Sequence, residues 1–384
     1  MRNKIWAIVL FVLLTFFPII NLSGISIPTI LFLFPILFLI KPVFDKKLMV
    51  LSLIATAVLS AIHIPVLAIS GNLTPKGAFY ALYPLIIYFT YSIAVSIIRG
   101  TDKKIIAILL KSFIVIQLLF CIIQLTNIFN TRVLLEGLFL RWQSVNALKT
   151  TGVLEVAYRP FGTIGNPVYL AIVVFLFGKN IRLINKKQYW YFLTIAIIML
   201  TGARLAIAMV IVFLIADYVI KMFVRHPIKS VIAVIMMAIA GYFAVNYVPF
   251  IKILFERYVV AGGSISNDYS ITYRMSMIDM MKDNLNIIIF GGYGIENFPA
   301  YVDNEIVLRT MQLGVVGFLI IIGCYKGIYN NMKNGVKSDE GDMRQQAIFL
   351  LGCTISSVVF TNPLIMQYVL VSAAINKEKL LKEK

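Results

Sequence analysis

The chain has 384 residues, of which 60% are hydrophobic and only 14% are charged, and its mean hydropathy is +0.90. Soluble domains are about 45–50% apolar and roughly 25% charged, so the composition excludes soluble, disordered, nucleic-acid-binding and disulfide-framed proteins. The three cysteines all lie in apolar runs and indicate no disulfide framework. The sequence therefore predicts an all-α, polytopic integral membrane protein. Its net charge of +18 is then interpreted by asking on which side of the membrane the basic residues lie.

Apolar runs predict the membrane spans, because about 20 apolar residues cross the hydrocarbon core. Single spans are expected at about 5–21, 24–40, 48–70, 77–98, 105–129, 161–178, 229–250 and 305–325. Two runs, 189–220 and 347–375, are too long for one span and contain polar breaks, Thr201-Gly202-Ala203-Arg204 and Thr361-Asn362-Pro363. Glycine and proline weaken or end helices, so each run is expected to form two helices. The total is about twelve transmembrane helices, or eleven if 347–375 crosses once.

Lysine and arginine orient these spans, because basic residues concentrate on the cytoplasmic side. With a cytoplasmic N-terminus, 23 of the 35 basic residues, Lys179 among them, fall in cytoplasmic segments, and Lys111 alone lies within a span. If 347–375 were one span, the basic tail 377–384 would lie on the outer side of the membrane. Twelve spans with both termini in the cytoplasm are therefore favoured. The first run is expected to stay as an uncleaved anchor, since no small-x-small pattern follows it.

The chain is thus expected to be a single membrane domain, 1–384, with two long outer loops at 130–160 and 251–304, the second between the ninth and tenth spans. Long loops are where membrane enzymes place their chemistry. Metal-ligand spacing, a P-loop and a dinucleotide fingerprint are all missing from the sequence. His63, inside the third span, is either a functional intramembrane group or a hydrogen-bonded packing residue, and the second interpretation is favoured.

Arginines are the remaining candidates, because guanidinium groups stay charged and bind phosphate bidentately. Arg159 precedes the sixth span, Arg204 lies in the polar break of 189–220, Arg274 is in the long loop and Arg309 is in the first turns of the next span. The run from Tyr189 to Leu200 gives only about 18 Å of helix. Arg204 is therefore expected below the outer surface, where a polar break must line a cavity or pack in protein.

Four segments resemble motifs of the O-antigen ligase/polymerase superfamily. Residues 159–171 resemble its Arg-x-x-Gly-Thr-x-x-Asn-Pro-x-x-x-Ala span start, and 201–204 resembles its Ser-x-Ser-Arg turn. Residues 268–274, followed by 291–294, are similar to its outer-loop pattern. Asp303-Asn304, nine residues and then 314–317 fit the ligase pattern His-Asn-x9-Gly-x-x-Gly, except that Asp303 stands where ligases keep histidine.

The resemblance implies a C-type glycosyltransferase-like architecture that works at the outer face of the bacterial cytoplasmic membrane. Its substrate would be an undecaprenyl-pyrophosphate-linked glycan, and it would use neither a nucleotide sugar, a cofactor nor a metal. Wzy-type polymerases of the superfamily join repeat units of O-antigen or capsule, and ligases move finished glycan to lipid A core. The missing histidine favours a polymerase. Membrane lipid is an implied partner, the resemblance leaves room for a chain-length regulator protein, and no nucleic acid is expected.

The roles of single residues follow from the same resemblance. The pyrophosphate would be held by Arg204 and Arg274 together with Arg159. The base that activates the acceptor sugar would be Asp303 or Glu305, with Asp268 or Glu296 in reserve. Further substrate-binding residues would be Asn166, Asn304, Arg309 and Tyr273. Glycines at 314 and 317 are expected to permit close helix packing, and 291–294 is expected to form a tight turn.

Two alternatives remain open. A ligase of the same superfamily would share these features. A lipid-linked oligosaccharide flippase or secondary transporter would also have twelve spans, broken helices and a buried Arg204. Against the transporter, no inverted repeat is visible between the halves, and the polar residues are concentrated in the outer loops.

Overall fold

The computed structural model describes residues 2–22, 25–40, 42–70, 74–139, 159–185, 188–215, 235, 242, 246, 276, 278–280, 282–283, 285–294, 304–333, 340–355 and 357–381. The N-terminal elements are α1 (Arg2–Phe16), β1 (Ile19–Leu22), β2 (Ile25–Pro28), a 3-10 helix (Thr29–Phe38), α2 (Lys46–Ile69), α3 (Pro75–Ala81), α4 (Tyr83–Arg99), α5 (Lys103–Thr126), a short 3-10 turn (Ile128–Asn130) and α6 (Thr131–Phe139). The later elements are α7 (Pro167–Asn185), α8 (Tyr189–Thr201), α9 (Arg204–Leu214), α10 (Leu285–Phe290), α11 (Glu305–Lys333), α12 (Glu340–Cys353) and α13 (Pro363–Leu381).

The described residues form a mostly helical structure. Four of the described helices are long and apolar enough to cross a membrane: α2, α5, α7 and α11 as far as Asn330. The helices at Asn3–Phe16, Tyr83–Arg99, Tyr189–Thr201 and Leu205–Leu214 are apolar but shorter. These observations agree with the expected helical membrane protein. The number of spans stays a prediction, since most of 229–250 and most of 251–304 lie outside the described residues.

The run at 24–40 does not form the expected α-helix. It belongs instead to an antiparallel hairpin of β1 and β2, with Ile19 opposite Pro28, followed by the 3-10 helix. Proline lacks an N–H and isoleucine favours strands, and this run contains Pro28, Pro35 and several isoleucines. The 3-10 helix has ten residues, about 20 Å at its usual rise.

Both predicted polar breaks are confirmed. The chain leaves helix between α8 and α9, where Gly202 has a φ of +61° that suits glycine. A second break separates α12 from α13, and Pro363 is the first residue of α13. Proline favours the first helical position, because the N–H that it lacks would have no partner there.

Helix α7 lies at the centre of the bundle, since 83% of its most apolar 18-residue window is buried, compared with 33% for α2 and 39% for α5. Aromatic side chains fill the space around it. Phe175 stacks on Phe349 of α12 with ring centroids 3.9 Å apart, and Phe177 meets Phe113 of α5 edge to face at 4.9 Å. A helix that is apolar all round and buried on all sides is a core helix, whereas α2 and α5 expose apolar faces.

One end of the bundle carries a buried polar network, which we call the Lys179 network: Lys179, Asn180, Asp342, Gln345, Gln346, Ser372 and Asn376. Lys179 is fully buried; its Nζ lies 3.0 Å from Asp342 Oδ1 and 4.5 Å from the ring centroid of Tyr191. The expected span end at 178 is therefore wrong, because α7 continues to Asn185 and Lys179 lies within the helix. Lys111, expected within a span, lies 5.4 Å above the ring of Trp190.

Candidate functional site at the helix breaks

The opposite end of the bundle brings together four segments, 159–166, 201–204, 304–312 and 354–363, which we call the break cluster. In the first segment, a turn at 161–163 is held by two glutamines of α5. Gln124 Oε1 accepts the N–H groups of Phe161 and Gly162 at 2.9 and 3.0 Å. Gln117 bonds both the N–H and the hydroxyl of Thr163, at 3.0 and 2.7 Å. The turn is therefore fixed to α5 by buried hydrogen bonds.

Arg159 lies directly before this turn and reaches the break between α8 and α9. Its Nε donates to the carbonyl oxygen of Thr201, the last residue of α8, at 3.2 Å. Gly202 and Ala203 follow, and Arg204 is the first residue of α9. The structure thus brings Arg159 to the turn that contains Arg204, whose side chain lies outside what the structure describes.

Helix N-termini also converge here. Three begin after an asparagine whose Oδ1 accepts N–H groups of the first turn: Asn166 for α7, Asn304 for α11 and Asn362 for α13. Asn362 in addition donates from Nδ2 to the hydroxyl of Tyr169 at 2.8 Å, which joins the starts of α13 and α7. At α9 the N-cap residue is Ala203, and no side chain of the described residues caps that helix.

Glu305, at the start of α11, is fully buried and faces the break between α12 and α13. Its Oε2 accepts the N–H groups of Val359 and Phe360, each at 2.8 Å. Its Oε1 accepts the N–H and the hydroxyl of Thr361, at 2.6 and 2.7 Å. The main-chain N–H of Glu305 donates to Thr354 O at 2.9 Å. The carboxylate, a predicted base, thus holds the main chain of the break.

Arg309 is also buried and bound within the protein. Its Nε donates to Thr361 Oγ1 and its Nη1 to Gln312 Oε1, both at 2.5 Å, and its guanidinium lies 5.0 Å from the ring centroid of Tyr80. The hydroxyl of Tyr83 donates to Thr361 O at 2.6 Å. Thr361 therefore connects Glu305 with Arg309 through its hydroxyl.

The glycine turn at 291–294 meets a kink in α11 at Gly314, where φ is +74° and ψ is 169°. Because the helix is interrupted there, the carbonyls of Met311 and Gln312 are free to accept the N–H groups of Tyr293 and Gly294, at 2.8 and 3.0 Å. The expected tight turn is confirmed. Gly314 does permit close packing of α11 against 288–291, but it does so at a kink and not within a regular helix.

Several predicted site residues lie outside the described residues, and their roles stay predictions: Asp268, Tyr273, Arg274 and Asp303. Within the described ranges, no group of three or more His, Cys, Asp or Glu side chains is arranged to hold a metal ion. His63 is buried, as expected of a packing residue, but neither ring nitrogen has a hydrogen-bond partner in the described part of the chain.

Sequence reasoning missed Gln117, Gln124 and Tyr83, and it identified Thr361 only as part of a polar break. A signal for the glutamines was present, because two amides seven residues apart in an apolar run lie on one helix face. The Asn-Pro pairs at 166–167 and 362–363 were a second signal, since both place an N-cap before a proline.

No protein-family model matches the chain, and a search of curated proteins finds no match.

Proposed function

We propose that the chain is a polymerase that joins undecaprenyl-pyrophosphate-linked oligosaccharide repeat units into O-antigen or capsular polysaccharide at the outer face of the cytoplasmic membrane. One observation carries this proposal: Arg159 is hydrogen-bonded to the break that contains Arg204, at the end of the bundle where several helices begin. The motif resemblance to the O-antigen ligase/polymerase superfamily supplies the substrate class.

The electrostatics of the break cluster support an anionic substrate. The first turn of a helix has free N–H groups and a partial positive charge. Asparagine side chains accept some of these N–H groups at α7, α11 and α13. Helix α9, in contrast, starts after Ala203 and carries Arg204 as its first residue. A pyrophosphate bound there would accept the free N–H groups of α9 and lie close to two guanidinium groups.

We assign the roles accordingly. Arg204, Arg274 and Arg159 hold the pyrophosphate and stabilise the negative charge that develops as it leaves. Asp303 takes the proton of the acceptor hydroxyl. This assignment prefers Asp303 to Glu305, because all the described contacts of the Glu305 carboxylate serve the break at 359–361. Asn166, Asn304 and Arg309 act through the geometry of the site, since each is bonded to the protein itself.

The reaction is then a glycosyl transfer with balanced bonds. The acceptor oxygen forms a bond to the anomeric carbon of the donor chain, and the bond from that carbon to the pyrophosphate oxygen breaks. The diphosphate leaves with the electron pair, and the hydroxyl proton goes to Asp303. A diphosphate is a good leaving group, so no strong general acid is required.

We further propose twelve spans with both termini in the cytoplasm. Contacts between helix ends support a chain that crosses the bundle in alternating directions. Val43 N donates to Ser96 near the end of α4, at 2.8 Å, while Thr29 N donates to Pro18 beyond the end of α1, at 3.2 Å. Thr29 and Val43 thus lie at opposite ends of the bundle, although the 3-10 helix between them is not an α-helix. The end near the Lys179 network holds the predicted basic loops, which favour the cytoplasm.

The test is complementation of a strain that lacks the chain, with surface polysaccharide separated on a gel. We expect R204A and R274A to abolish long polymer while the protein remains in the membrane. The control is R99A, an exposed arginine at the end of α4, near the cytoplasmic end in this topology, which should leave the ladder unchanged. A normal ladder from R204A or R274A would overturn the pyrophosphate role.

The same strains separate the alternatives. Loss of a polymerase leaves single repeat units attached at the surface, whereas loss of a ligase leaves glycan on its lipid carrier. A transporter would move lipid-linked glycan without lengthening it. D303N should lose polymer if Asp303 is the base, and an unchanged chain length would transfer that role to another acid.

A further inference from the structure

The segment Asn127–Phe139, which follows α5, exposes an unusual number of large apolar side chains. Phe129 is 96% exposed, the highest value among the exposed large hydrophobic residues of the described chain. The others are Ile128, Val133, Leu134 and Leu138, each more than half exposed. In water, a patch of this size would be unfavourable.

The exposure is built into a defined structure. Asn127, Phe129 and Asn130 all have positive φ, so the chain turns sharply at the end of α5. Arg132 fixes the turn, since its Nε donates to Gln124 O at 2.8 Å and its main-chain N–H to Asn127 Oδ1 at 3.1 Å. Phe129 thus points outward from a hydrogen-bonded turn.

The opposite face of α6 is packed on the protein. Leu135 and Phe139 are buried in a cluster with Phe161, and the ring of Phe139 meets that of Phe120 edge to face at 5.6 Å. Helix α6 is therefore apolar on two sides, one covered by the bundle and one exposed. Arg132 and Glu136 supply charge on the same short helix.

The exposed patch continues an exposed apolar surface of α5. That helix is long and apolar enough to cross a membrane. It exposes Leu119, Ile122 and Leu125, which recur at helical spacing on one face. Ile128 and Phe129 follow directly on this stripe. One apolar surface thus runs along α5 and turns the corner into α6.

We propose that Asn127–Phe139 lies in the interface of the lipid bilayer, with Phe129, Val133, Leu134 and Leu138 inserted among the acyl chains. The occupant of this face is membrane lipid, because the face is continuous with that of a membrane span and combines apolar residues with Arg132 and Glu136, as interfacial helices do. This contact is independent of the proposed polymerase activity. The contact sets how deep Gln124 lies relative to the bilayer surface. Gln124 in turn holds the turn next to Arg159.

The test is a spin-label accessibility measurement on the full chain in liposomes. L134C and L138C each receive a nitroxide, and collisions with membrane-soluble oxygen are compared with collisions with a water-soluble nickel complex. The native Cys121, Cys324 and Cys353 are replaced by alanine, so that the introduced thiol is the only one that can be labelled. L135C, on the packed face of α6, and K282C, at an exposed side chain, are the matched controls.

We expect oxygen collisions to exceed nickel collisions at least several-fold for L134C and L138C, with the reverse for K282C and low access to both reagents for L135C. Nickel access at 134 and 138 that equals that of K282C would overturn the proposal, because the face would then lie in water. Low access to both reagents at 134 and 138 would overturn it equally, because protein would then cover the face.

Discussion

Oε1 of Glu305 accepts two hydrogen bonds from Thr361, one from its main-chain N–H at 2.6 Å and one from its hydroxyl at 2.7 Å. With the N–H groups of Val359 and Phe360 on Oε2, the carboxylate holds three successive residues of the break before α13. A buried negative charge persists only while such donors are present. The start of α11 and the α12–α13 break therefore form one rigid unit beside the proposed site.

E305Q tests this structural role. The amide keeps one acceptor oxygen and turns an NH2 group toward N–H donors, so we expect the free energy of unfolding to fall by about 2–4 kcal/mol. The measurement is thermal unfolding in detergent. D279N, at an exposed acid, should change the unfolding free energy by less than about 0.5 kcal/mol. Unchanged stability of E305Q together with lost polymer would contradict the structural role and favour Glu305 as the base.

The contribution of the Thr361 hydroxyl can be measured separately from that of the side-chain volume. T361V keeps the shape but removes the acceptor of Arg309 Nε, which leaves a buried charged donor without a partner. We expect a loss of about 1–3 kcal/mol in unfolding free energy. T361S keeps the hydroxyl and should lose clearly less. A loss in T361S as large as that in T361V would contradict this expectation, because the methyl group would then contribute as much as the hydrogen bond.

Gly314 and Gly323 lie in the same helix and make a matched pair. A Cβ at Gly314 would lie 2.9 Å from both Gly291 N and Ile288 O, at a φ of +74°. We expect G314A to cost about 2 kcal/mol or more in unfolding free energy and to release the 291–294 turn, seen as faster proteolysis there. Among the described residues, a Cβ at Gly323 meets no atom within 4 Å, so G323A should be neutral or raise stability by up to about 1 kcal/mol. Similar values for the two variants would contradict the kink.

The Lys179–Asp342 pair predicts non-additive energetics. D342N removes the carboxylate that pairs with the fully buried Lys179 and should cost about 3–5 kcal/mol in unfolding free energy. K179M/D342N removes both charges and should recover part of that loss. The exposed Lys282–Asp279 pair is the control, with an expected coupling below about 1 kcal/mol. Additive losses at Lys179 and Asp342 would show that the two charges do not depend on each other.

Composition and periodicity predict the helical membrane character and the two polar breaks, because glycine and proline act locally. They fail at 24–40, where hydropathy cannot distinguish an α-helix from a strand and a 3-10 helix. Composition and periodicity also could not predict contacts between segments that are distant in the sequence. Nothing near Glu305 in the sequence indicates that its carboxylate holds 359–361, and the burial of Lys179 depends on Asp342, far along the chain.

The most direct test of the central claim uses the purified chain in liposomes that contain lipid-pyrophosphate-linked repeat units, with no ion gradient and no nucleotide sugar. The account predicts a ladder of longer lipid-linked glycans for the native chain and no ladder for R204A or R274A. Repeat units that remain single with the native chain, or a ladder that persists in R204A, would contradict it.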